Sequence, residues 1–305
     1  MILSIITVTL NSKKTVISTL NSILSQTYDN IEHIIVDGGS TDGTIEILKN
    51  YRNKNTKVII SEGAGIYQSM NIGIKASTGD LISILNSDDI YQNEKTIETV
   101  INLVNQNPDY PIYLGDVVYF KDTSFFDIYR HYKAKNFKKW HLKIGLMPPH
   151  PPSFMKKNVY EKYGMYYEKF KIASDFEIFL RLIYQNNLKF FKLNKVIVRM
   201  RIGGISGRNL QSYIISSIEI IKSLDVKQID KKLLCFCVGT ATEKQARSIG
   251  FQNVIAAEGN VENLKELILQ NFDQKNGKLI YVSGEIISTS LDQYLLSEGY
   301  KIKRV

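Results

Sequence analysis

The amino-acid sequence predicts an α/β protein whose N-terminal part is a doubly wound domain. Short runs of Ile, Val and Leu alternate with segments in which apolar residues recur at helical spacing. These runs are almost continuously apolar, which is typical of parallel strands covered by helices on both faces. Polar clusters follow the runs, and parallel sheets bind ligands at the carboxyl ends of their strands. The sequence therefore predicts a binding site at that edge.

The first ninety residues carry the clearest pattern. The predicted strands are Leu3–Val8, Glu32–Val36, Val58–Ile60 and Leu81–Leu85. The predicted helices are Thr15–Ser25, Thr44–Tyr51 and Ile66–Lys75. The polar clusters that follow the strands are Thr9 with Asn11, Asp37–Gly43, Glu62–Gly65 and Asn86–Asp89.

From about residue 110 the pattern changes to that of a mixed sheet. The predicted strands are Ile112–Phe120, Phe125–Tyr132 and Leu193–Met200, and the predicted helices are Asn158–Tyr163, Asp175–Gln185 and Asn209–Leu224. Between them, the stretch Arg130–Lys143 holds six Lys or Arg, three large aromatic residues and no acid. Such a stretch is either a contact for anionic membrane lipid or an ordinary solvated strand and loop.

A second alternation of strands and helices begins at Leu233. The predicted strands are Leu233–Val238, Asn253–Ile255, Leu279–Val282 and Tyr300–Arg304, and the predicted helices are Thr240–Ser248, Val261–Gln270 and Ser290–Ser297. We therefore expect a first domain over 1–225, a linker over 226–231 and a small α/β domain over 232–305.

Composition narrows the class of protein. The 305 residues, 44% hydrophobic and 23% charged, suit two ordinary globular domains. Cys235 and Cys237 have no second Cys pair or His cluster beside them, so we expect buried strand thiols in a reducing compartment rather than a zinc site. No leader peptide or membrane span is predicted. The expected location is the cytoplasm, either free or bound peripherally at the inner face of the cell membrane.

The net charge of +9 suits partners that carry phosphate, although a lysine-rich composition without function would give the same charge. Nucleic-acid binding is not expected, because no motif for it accompanies the charge. Neither of the glycine-rich patterns G-x-G-x-x-G and G-x-x-x-x-G-K-[ST] occurs, which disfavours dinucleotide and P-loop sites.

Asp88 and Asp89 form the most suggestive acidic pair. Adjacent carboxylates repel each other unless a cation lies nearby, and their oxygens suit Mg²⁺ or Mn²⁺ with a diphosphate completing the coordination. The alternative is a capping or turn pair. Asp37 has the position of an acid that contacts a nucleoside in other doubly wound folds, or else it forms an Asx-turn or helix cap. Ser40 and Asp42 are expected to cap the helix that begins near Thr44.

Nine ordered segments together resemble the motifs of family 2 inverting glycosyltransferases with the GT-A fold, a Rossmann-like domain with a mixed central sheet. The similarity is to the branch that builds bacterial O-antigen and capsule sugars. The segments are Thr7–Asn11, Val36–Thr44, Gly65–Gly73, Ala76–Asp80, Leu85–Asp89, His150–Phe154, Ala173–Glu177, Leu180–Leu182 and Gly203–Ser206.

This resemblance implies a metal-dependent hexosyltransferase that moves sugar from a nucleotide-diphosphate sugar to a glycan or lipid-linked acceptor. It implies a divalent cation, Mg or Mn, held by Asp88 and Asp89, with Asp89 as the direct ligand. Asp175 would deprotonate the acceptor hydroxyl as general base, although the local pattern also fits an N-cap of the helix Phe176–Gln185. The implied donor-binding residues are Thr7, Thr9, Asn11, Asp37, Asn71 and Asp88.

Ala64 and Gln68 depart from the branch, which usually has acids at both positions. The alternative function is therefore a catalytically weak or inactive nucleotide-sugar-binding module. Residues 232–305 carry a second set of motifs, at Val238–Thr242, Gly250–Phe251, Asn263–Leu264, Gly284–Glu285 and Leu295–Gly299. Through them this part resembles one domain of uroporphyrinogen-III synthase, an enzyme that uses a cleft between two such domains. With one domain's worth of sequence we expect no synthase activity, and instead a docking or regulatory module or the remnant of a gene fusion.

Overall fold

A computed structural model of the protein describes residues 1–51, 55–121, 124–202, 216, 219–220, 223, 234–248, 251–258, 260–273, 278–281 and 291–304. The chain divides into two compact units, residues 1–142 with 147–208, and residues 143–146 with 209–305. The predicted linker 226–231, most of the predicted helix 209–224 and the motif 203–206 lie outside the described residues.

Four parallel strands form one half of the sheet in the first unit, as predicted. They are β1 (Leu3–Thr9), β2 (Ile31–Asp37), β3 (Thr56–Ile60) and β4 (Leu81–Ile84). Their order across the sheet is β3-β2-β1-β4. Every residue of β1 is buried, because this strand lies between two neighbours and is covered on both faces. The polar segments after β1, β2, β3 and β4 therefore share one edge.

Three helices connect these strands, each within one residue of its predicted bounds. They are α1 (Val16–Leu24), α2 (Thr44–Asn50) and α3 (Ile66–Ala76). Helix α1 buries Val16, Leu20 and Ile23, which recur at helical spacing. Helix α3 packs against β1 at Gly73, where the absence of a side chain lets the helix approach Ile6 closely.

The other half of the sheet is mixed, which confirms the predicted change of pattern. It contains β5 (Ile90–Tyr91), β6 (Ile112–Lys121), β7 (Ser124–Tyr132), β8 (Ser153–Lys156) and β9 (Phe190–Arg201). Strand β8 runs antiparallel to β4 and to β6, and β9 runs parallel to β6. Strands β5 and β7 add antiparallel pairs to β9 and β6. The ends of β6 and β9 thus point toward the same edge as those of β1 and β4.

The prediction omitted β5, β8 and a helix, α4 (Thr96–Gln106). Two strands of two and four residues are too short to show a period. The helix had a readable signal, because its buried residues Ile97, Val100, Ile101 and Val104 have helical spacing. These side chains join one core cluster with residues of β1, β4, β6, β8 and β9.

Helices α5 (Lys157–Tyr163) and α6 (Ser174–Phe179) complete the first unit, with α6 continuing as a π-helical segment over Leu180–Gln185. The predicted helix over Asp175–Gln185 is thus correct in extent, but its second half is wound more loosely than an α-helix. After β7 the chain forms two short 3₁₀ segments, Ala134–Asn136 and Lys139–Ile144.

The second unit has the predicted alternation. Its strands are β10 (Leu234–Val238), β11 (Asn253–Ala257), β12 (Lys278–Tyr281) and β13 (Lys301–Arg304), in two parallel pairs. Its helices are α7 (Thr240–Ser248), α8 (Val261–Asn271) and α9 (Leu291–Ser297). Burial raises the pKa of the Cys237 thiol to about 11, which keeps it protonated as expected of a strand cysteine.

Within the described residues, no helix is both long and apolar enough to span a bilayer.

The contact at Gly73 gives a test of the fold. A Cβ at this position would lie 2.4 Å from Cγ2 of Ile6, a fully buried side chain. We expect Gly73→Ala to lower the free energy of unfolding by about 1–3 kcal/mol through overpacking. The control is Gly65→Ala at the start of the same helix, where a Cβ meets no atom within 4 Å. Equal chemical-denaturation midpoints for the two variants would contradict this packing.

Candidate active site

The loops after β1, β2 and β3 are tied together by hydrogen bonds at the carboxyl edge. Gly38 N donates to Thr9 O at 2.9 Å, and Ser61 N donates to Asp37 O at 2.8 Å. Asn11 closes the first two loops from both sides, because its N–H donates to Ser40 Oγ at 2.8 Å and its Oδ1 accepts from Thr41 N at 2.9 Å. It does so in a left-handed conformation, with φ of 52°, which asparagine tolerates better than most residues.

Asp37 is fully buried and accepts four hydrogen bonds. Its Oδ1 accepts from Gly39 N at 2.9 Å and Ser40 N at 2.7 Å, and its Oδ2 accepts from Thr9 Oγ1 at 2.7 Å and Ser40 Oγ at 2.6 Å. Burial raises the pKa of Asp37, but these bonds outweigh it and hold the pKa below its usual value. This geometry matches the Asx-turn reading. Donor contact by Asp37 stays a prediction, as its carboxylate already orders the loop.

Ser40 donates both its N–H and its hydroxyl to Asp37 and does not cap α2, so the expectation that it caps this helix is wrong. Asp42 does satisfy that helix start, because its Oδ1 accepts from Thr44 N at 3.0 Å. Its Oδ2 accepts from Lys13 N at 3.0 Å and so joins the β1 loop as well.

Thr7 and Asn71, two of the predicted donor-binding residues, are turned to internal partners. Thr7 is fully buried in β1, with Oγ1 3.0 Å from His33 Nε2. Asn71 on α3 donates to Tyr166 O at 2.8 Å and to Glu168 Oε1 at 2.9 Å, and accepts from Tyr166 N at 2.9 Å. Asn71 therefore fastens the segment before α6 to α3, and its donor contact is untested.

The acidic pair follows β4 at the same edge. Ser87 Oγ lies 2.7 Å from Ser12 Oγ, which joins this loop to the β1 loop. Asp89 is 1% exposed, whereas Asp88 is half-buried. Burial raises the pKa of the Asp89 carboxyl well above its usual value, and the charge of Asp88 raises it further. A bound cation would relieve both effects.

Two arginines that the sequence reasoning missed end β9 beside this pair. The guanidinium carbons of Arg199 and Arg201 lie 5.7 Å and 5.1 Å from the centre of the Phe120 ring. Arg201 opposes the rise in the pKa of Asp89 through its backbone N–H and its charge. Nε and Nη2 of Arg199 are buried without a hydrogen-bond partner among the described residues. Basic residues at alternate positions of a strand end were the signal that could have found them.

Asp175 lies in the first turn of α6, with Ala173 as the N-cap residue. The helix begins at Ser174, two residues earlier than the capping alternative required, and that alternative is wrong. Asp175 Oδ1 accepts from the N–H of Phe176 at 2.9 Å and lies 3.4 Å from the hydroxyl of Tyr67, which comes from α3. A carboxylate in the first turn is still favoured by the helix dipole.

The surroundings of Asp175 are aromatic and buried. The Tyr67 and Tyr166 rings stack with centres 5.9 Å apart, and His150 Nε2 lies 2.7 Å from the Tyr166 hydroxyl. Burial lowers the pKa of His150 to about 4. Burial also raises the pKa of Tyr166 well above its usual value, with Tyr160 and Asp175 adding to the rise. His150 and Tyr166 are therefore neutral near pH 7.

The predicted site residues form two groups, apart from Thr7, which lies buried inside β1. Thr9, Asn11 and Asp37 belong to the linked loops that also hold Asp88 and Asp89. Asn71 and Asp175 belong to the contacts that α3 makes with α6 and with the segment before it. Ala64 and Gln68, the two positions without the usual acid, differ in exposure. Ala64 is buried, whereas Gln68 is exposed on α3.

Comparison with known proteins agrees with this architecture. The family model described as glycosyl transferase family 2 matches residues 4–164, which is more than half of the chain. The chain belongs to glycosyl transferase family 2. An uncharacterized glycosyltransferase of Rickettsia typhi is 27% identical over 229 residues, covering 72% of this chain and 70% of that protein. A PGL/p-HBAD biosynthesis glycosyltransferase of Mycobacterium bovis is 27% identical over 186 residues, covering 58% and 68%.

The fold of this family 2 member is GT-A-like, as the sequence resemblance implied. The crystal structure of S. aureus TarS 1-349 in complex with UDP-GlcNAc matches with a TM-score of 0.60 at 19% identity, covering 91% of this chain and 75% of that one. A longer TarS chain matches with a TM-score of 0.57 at 20% identity, and this chain spans 45% of its length. Residues 217–305 match the model of uroporphyrinogen-III synthase HemD, the second similarity seen in the sequence.

The buried state of His150 predicts how stability depends on pH. Its folded pKa of about 4 lies below the ordinary 6.5, so the unfolded chain takes up the proton first as pH falls. The contribution of neutral His150 to the free energy of unfolding is therefore complete above pH 6.5. It is lost as the pH falls toward 4, at up to about 1.4 kcal/mol per pH unit. Denaturation series from pH 7.5 to 4 should give a shallower slope for His150→Gln than for the wild type. Parallel slopes would contradict a neutral buried imidazole.

Proposed function

We propose that the protein is an inverting glycosyltransferase that moves a sugar from a nucleotide-diphosphate sugar to a hydroxyl of a surface-polysaccharide or lipid-linked acceptor. The observation that carries this proposal is the convergence of the Asp88–Asp89 pair with the Asp37-ordered loops at the carboxyl edge of the sheet. Parallel sheets bind phosphate-bearing ligands at this edge. The UDP and UDP-GlcNAc complexes of the TarS neighbour support a uridine nucleotide sugar as the first donor to test.

The residues present fit a divalent cation, Mg or Mn. Among the described residues no group of three or more His, Cys, Asp or Glu could hold a metal by itself. A pair of carboxylates is nevertheless what Mg²⁺ commonly uses when substrate phosphates provide further ligands. Asp89, helped by Asp88, is the residue we assign to hold it. When bound, such a cation supplies positive charge to the departing diphosphate.

Asp175 is the group we assign to take the proton of the acceptor hydroxyl. The hydroxyl oxygen then forms a bond to the anomeric carbon while the bond from that carbon to the diphosphate breaks. One displacement inverts the configuration, and the carbon passes through an oxocarbenium-like state as in glycoside hydrolysis. Burial raises the pKa of Tyr166 and lowers the pKa of His150, so that neither residue adds a charge near Asp175 at neutral pH.

A peripheral contact with an anionic membrane surface belongs to the same proposal, because it would bring the protein to a lipid-linked acceptor. Lys135 and Lys138 are exposed, and Trp140 between neighbouring basic residues is 44% exposed. Lysines attract anionic headgroups, and tryptophan favours the interface between water and lipid.

The alternative is a nucleotide-sugar-binding module with weak or no catalysis and a vestigial tail. Ala64 and Gln68 favour it, since neither side chain carries the acid usual in this branch. Both the active transferase and the binding module are expected to bind the donor, so only a measurement of turnover distinguishes them.

Substitution at the two proposed acidic sites tests the mechanism. With Mn²⁺ and UDP-GlcNAc as first donor, Asp89→Asn should weaken donor binding by at least about tenfold, which corresponds to about 1.4 kcal/mol. Asp175→Asn should leave donor binding unchanged and lower turnover by about 10²–10⁴-fold, the range of a lost general base. Calorimetry and a donor-hydrolysis assay measure these effects.

Asp109→Asn, at an exposed position after α4, is the matched control and should resemble the wild type. Binding without turnover in the wild type, across a panel of donors and acceptors, would favour the inactive module. Neither binding nor turnover with any nucleotide sugar would refute the proposed function.

The membrane contact is tested by flotation with vesicles that contain about one third anionic lipid. Lys135→Glu/Lys138→Glu should reduce the bound fraction severalfold, since each basic residue near the surface contributes about 1 kcal/mol. Lys49→Glu/Lys95→Glu makes the same charge change at exposed residues of other elements and should bind like the wild type. An equal loss of the bound fraction in both variants would show a nonspecific charge effect and would refute the proposed membrane contact.

A further inference from the structure

We propose that Tyr67 is a positioning residue that holds Asp175 in the orientation needed for proton abstraction. This inference rests on the proposed function, because it gives Asp175 the role of base. It adds a residue for which the sequence reasoning found no role.

The contacts of the Tyr67 hydroxyl carry the proposal. Tyr67 lies in the first turn of α3, is 5% exposed, and donates a hydrogen bond to the carbonyl oxygen of Ile172. The same hydroxyl lies 3.4 Å from Asp175 Oδ1. A hydroxyl has one proton, so it serves one acceptor at a time. The Ile172 carbonyl and the Asp175 carboxylate therefore share this one donor, which fixes the chain just before α6 and also lies against the carboxylate.

The ring of Tyr67 is itself held in place. It stacks on Tyr166 with an angle of 19° between the ring planes. The hydrogen bond between His150 and the Tyr166 hydroxyl fixes the outer end of the second ring, while Asn71 holds the Tyr166 backbone from both sides. Rotation of Tyr67 away from Asp175 would break this stack.

Tyr67 and Asn71 are four residues apart on α3 and therefore lie on one face of the helix. Asn71 holds the segment at Tyr166, and Tyr67 holds it at Ile172, so that this face supports the chain on the way to Asp175. A misplacement of about 1 Å is enough to cost about 10²-fold in rate. A helix face with two anchors is a physical means of preventing such a shift.

Tyr67→Phe tests the hydroxyl while keeping the ring and its stacking. We expect kcat to fall about 10- to 100-fold with KM for donor and acceptor within about threefold, since binding does not depend on the base. Loss of a hydrogen bond to the carboxylate should raise the pKa of Asp175, so the acid limb of the kcat/KM profile should move to higher pH. An unchanged rate and profile would overturn the proposal.

The control is Tyr113→Phe, which removes another buried tyrosine hydroxyl. That hydroxyl donates to Asn107 O at 2.7 Å and belongs to a different part of the unit. A purely structural role of Tyr67 would lower stability in both variants and leave the pH profile unmoved in both. That outcome would also overturn the proposal.

Carboxyl titration of Asp175 by NMR provides a readout that needs no turnover. Among the described residues, Tyr67 on α3 and Tyr166 before α6 are titratable groups that interact with Asp175, and His150 and Tyr160 lie behind Tyr166. A pKa of Asp175 that is higher in Tyr67→Phe supports the positioning role even if the wild type transfers no sugar, in which case only the proposed function fails. Equal pKa values in wild type and variant overturn the positioning role whatever the activity.

Discussion

The buried carboxylate of Asp37 is the constraint on which the carboxyl edge depends. An ionised group without water is stable only when its oxygens are satisfied by donors, and Asp37 obtains its donors from Thr9 on β1 and from the backbone and side chain of its own loop. These bonds fix where the chain leaves β1 and β2. Asn11 and Ser12 then extend this order to Thr41 and to the acidic loop at Ser87.

A second support holds the other half of the site. Asp175 is far from the first group in sequence, and the strand edge alone does not determine its place. Helix α3 provides that link because it begins in the loop after β3 and presents Tyr67 and Asn71 to the segment before α6. The loops at the carboxyl edge and the proposed base Asp175 are therefore both connected to α3. The antiparallel course of β8 brings His150 to Tyr166.

Charge within the site is distributed unevenly. Burial makes ionisation of Asp89 costly, Asp88 adds to that cost, and Arg201 partly compensates through its charge and backbone N–H. Farther along the edge, Tyr166 and His150 are kept neutral by burial. The same edge thus offers an acidic pair suited to a cation and, at α6, a carboxylate within a neutral aromatic setting.

The sequence by itself determined the order and bounds of β1 to β4 and α1 to α3, because their hydrophobic periods are local. It also determined the family, because many motifs occur in order, and it marked Asp37, Asp88–Asp89 and Asp175 as the acids of interest. Only the tertiary structure decided what each side chain contacts. Thr7 contacts His33, Ser40 bonds to Asp37, and Asp175 lies inside α6 rather than capping it, because the hydrogen-bond partner of a polar side chain leaves no periodic trace in a sequence. The roles of Arg199, Arg201 and Tyr67 also depend on the tertiary structure. The two arginines contact Phe120 and Tyr67 contacts Asp175, and these partners lie on other strands and helices.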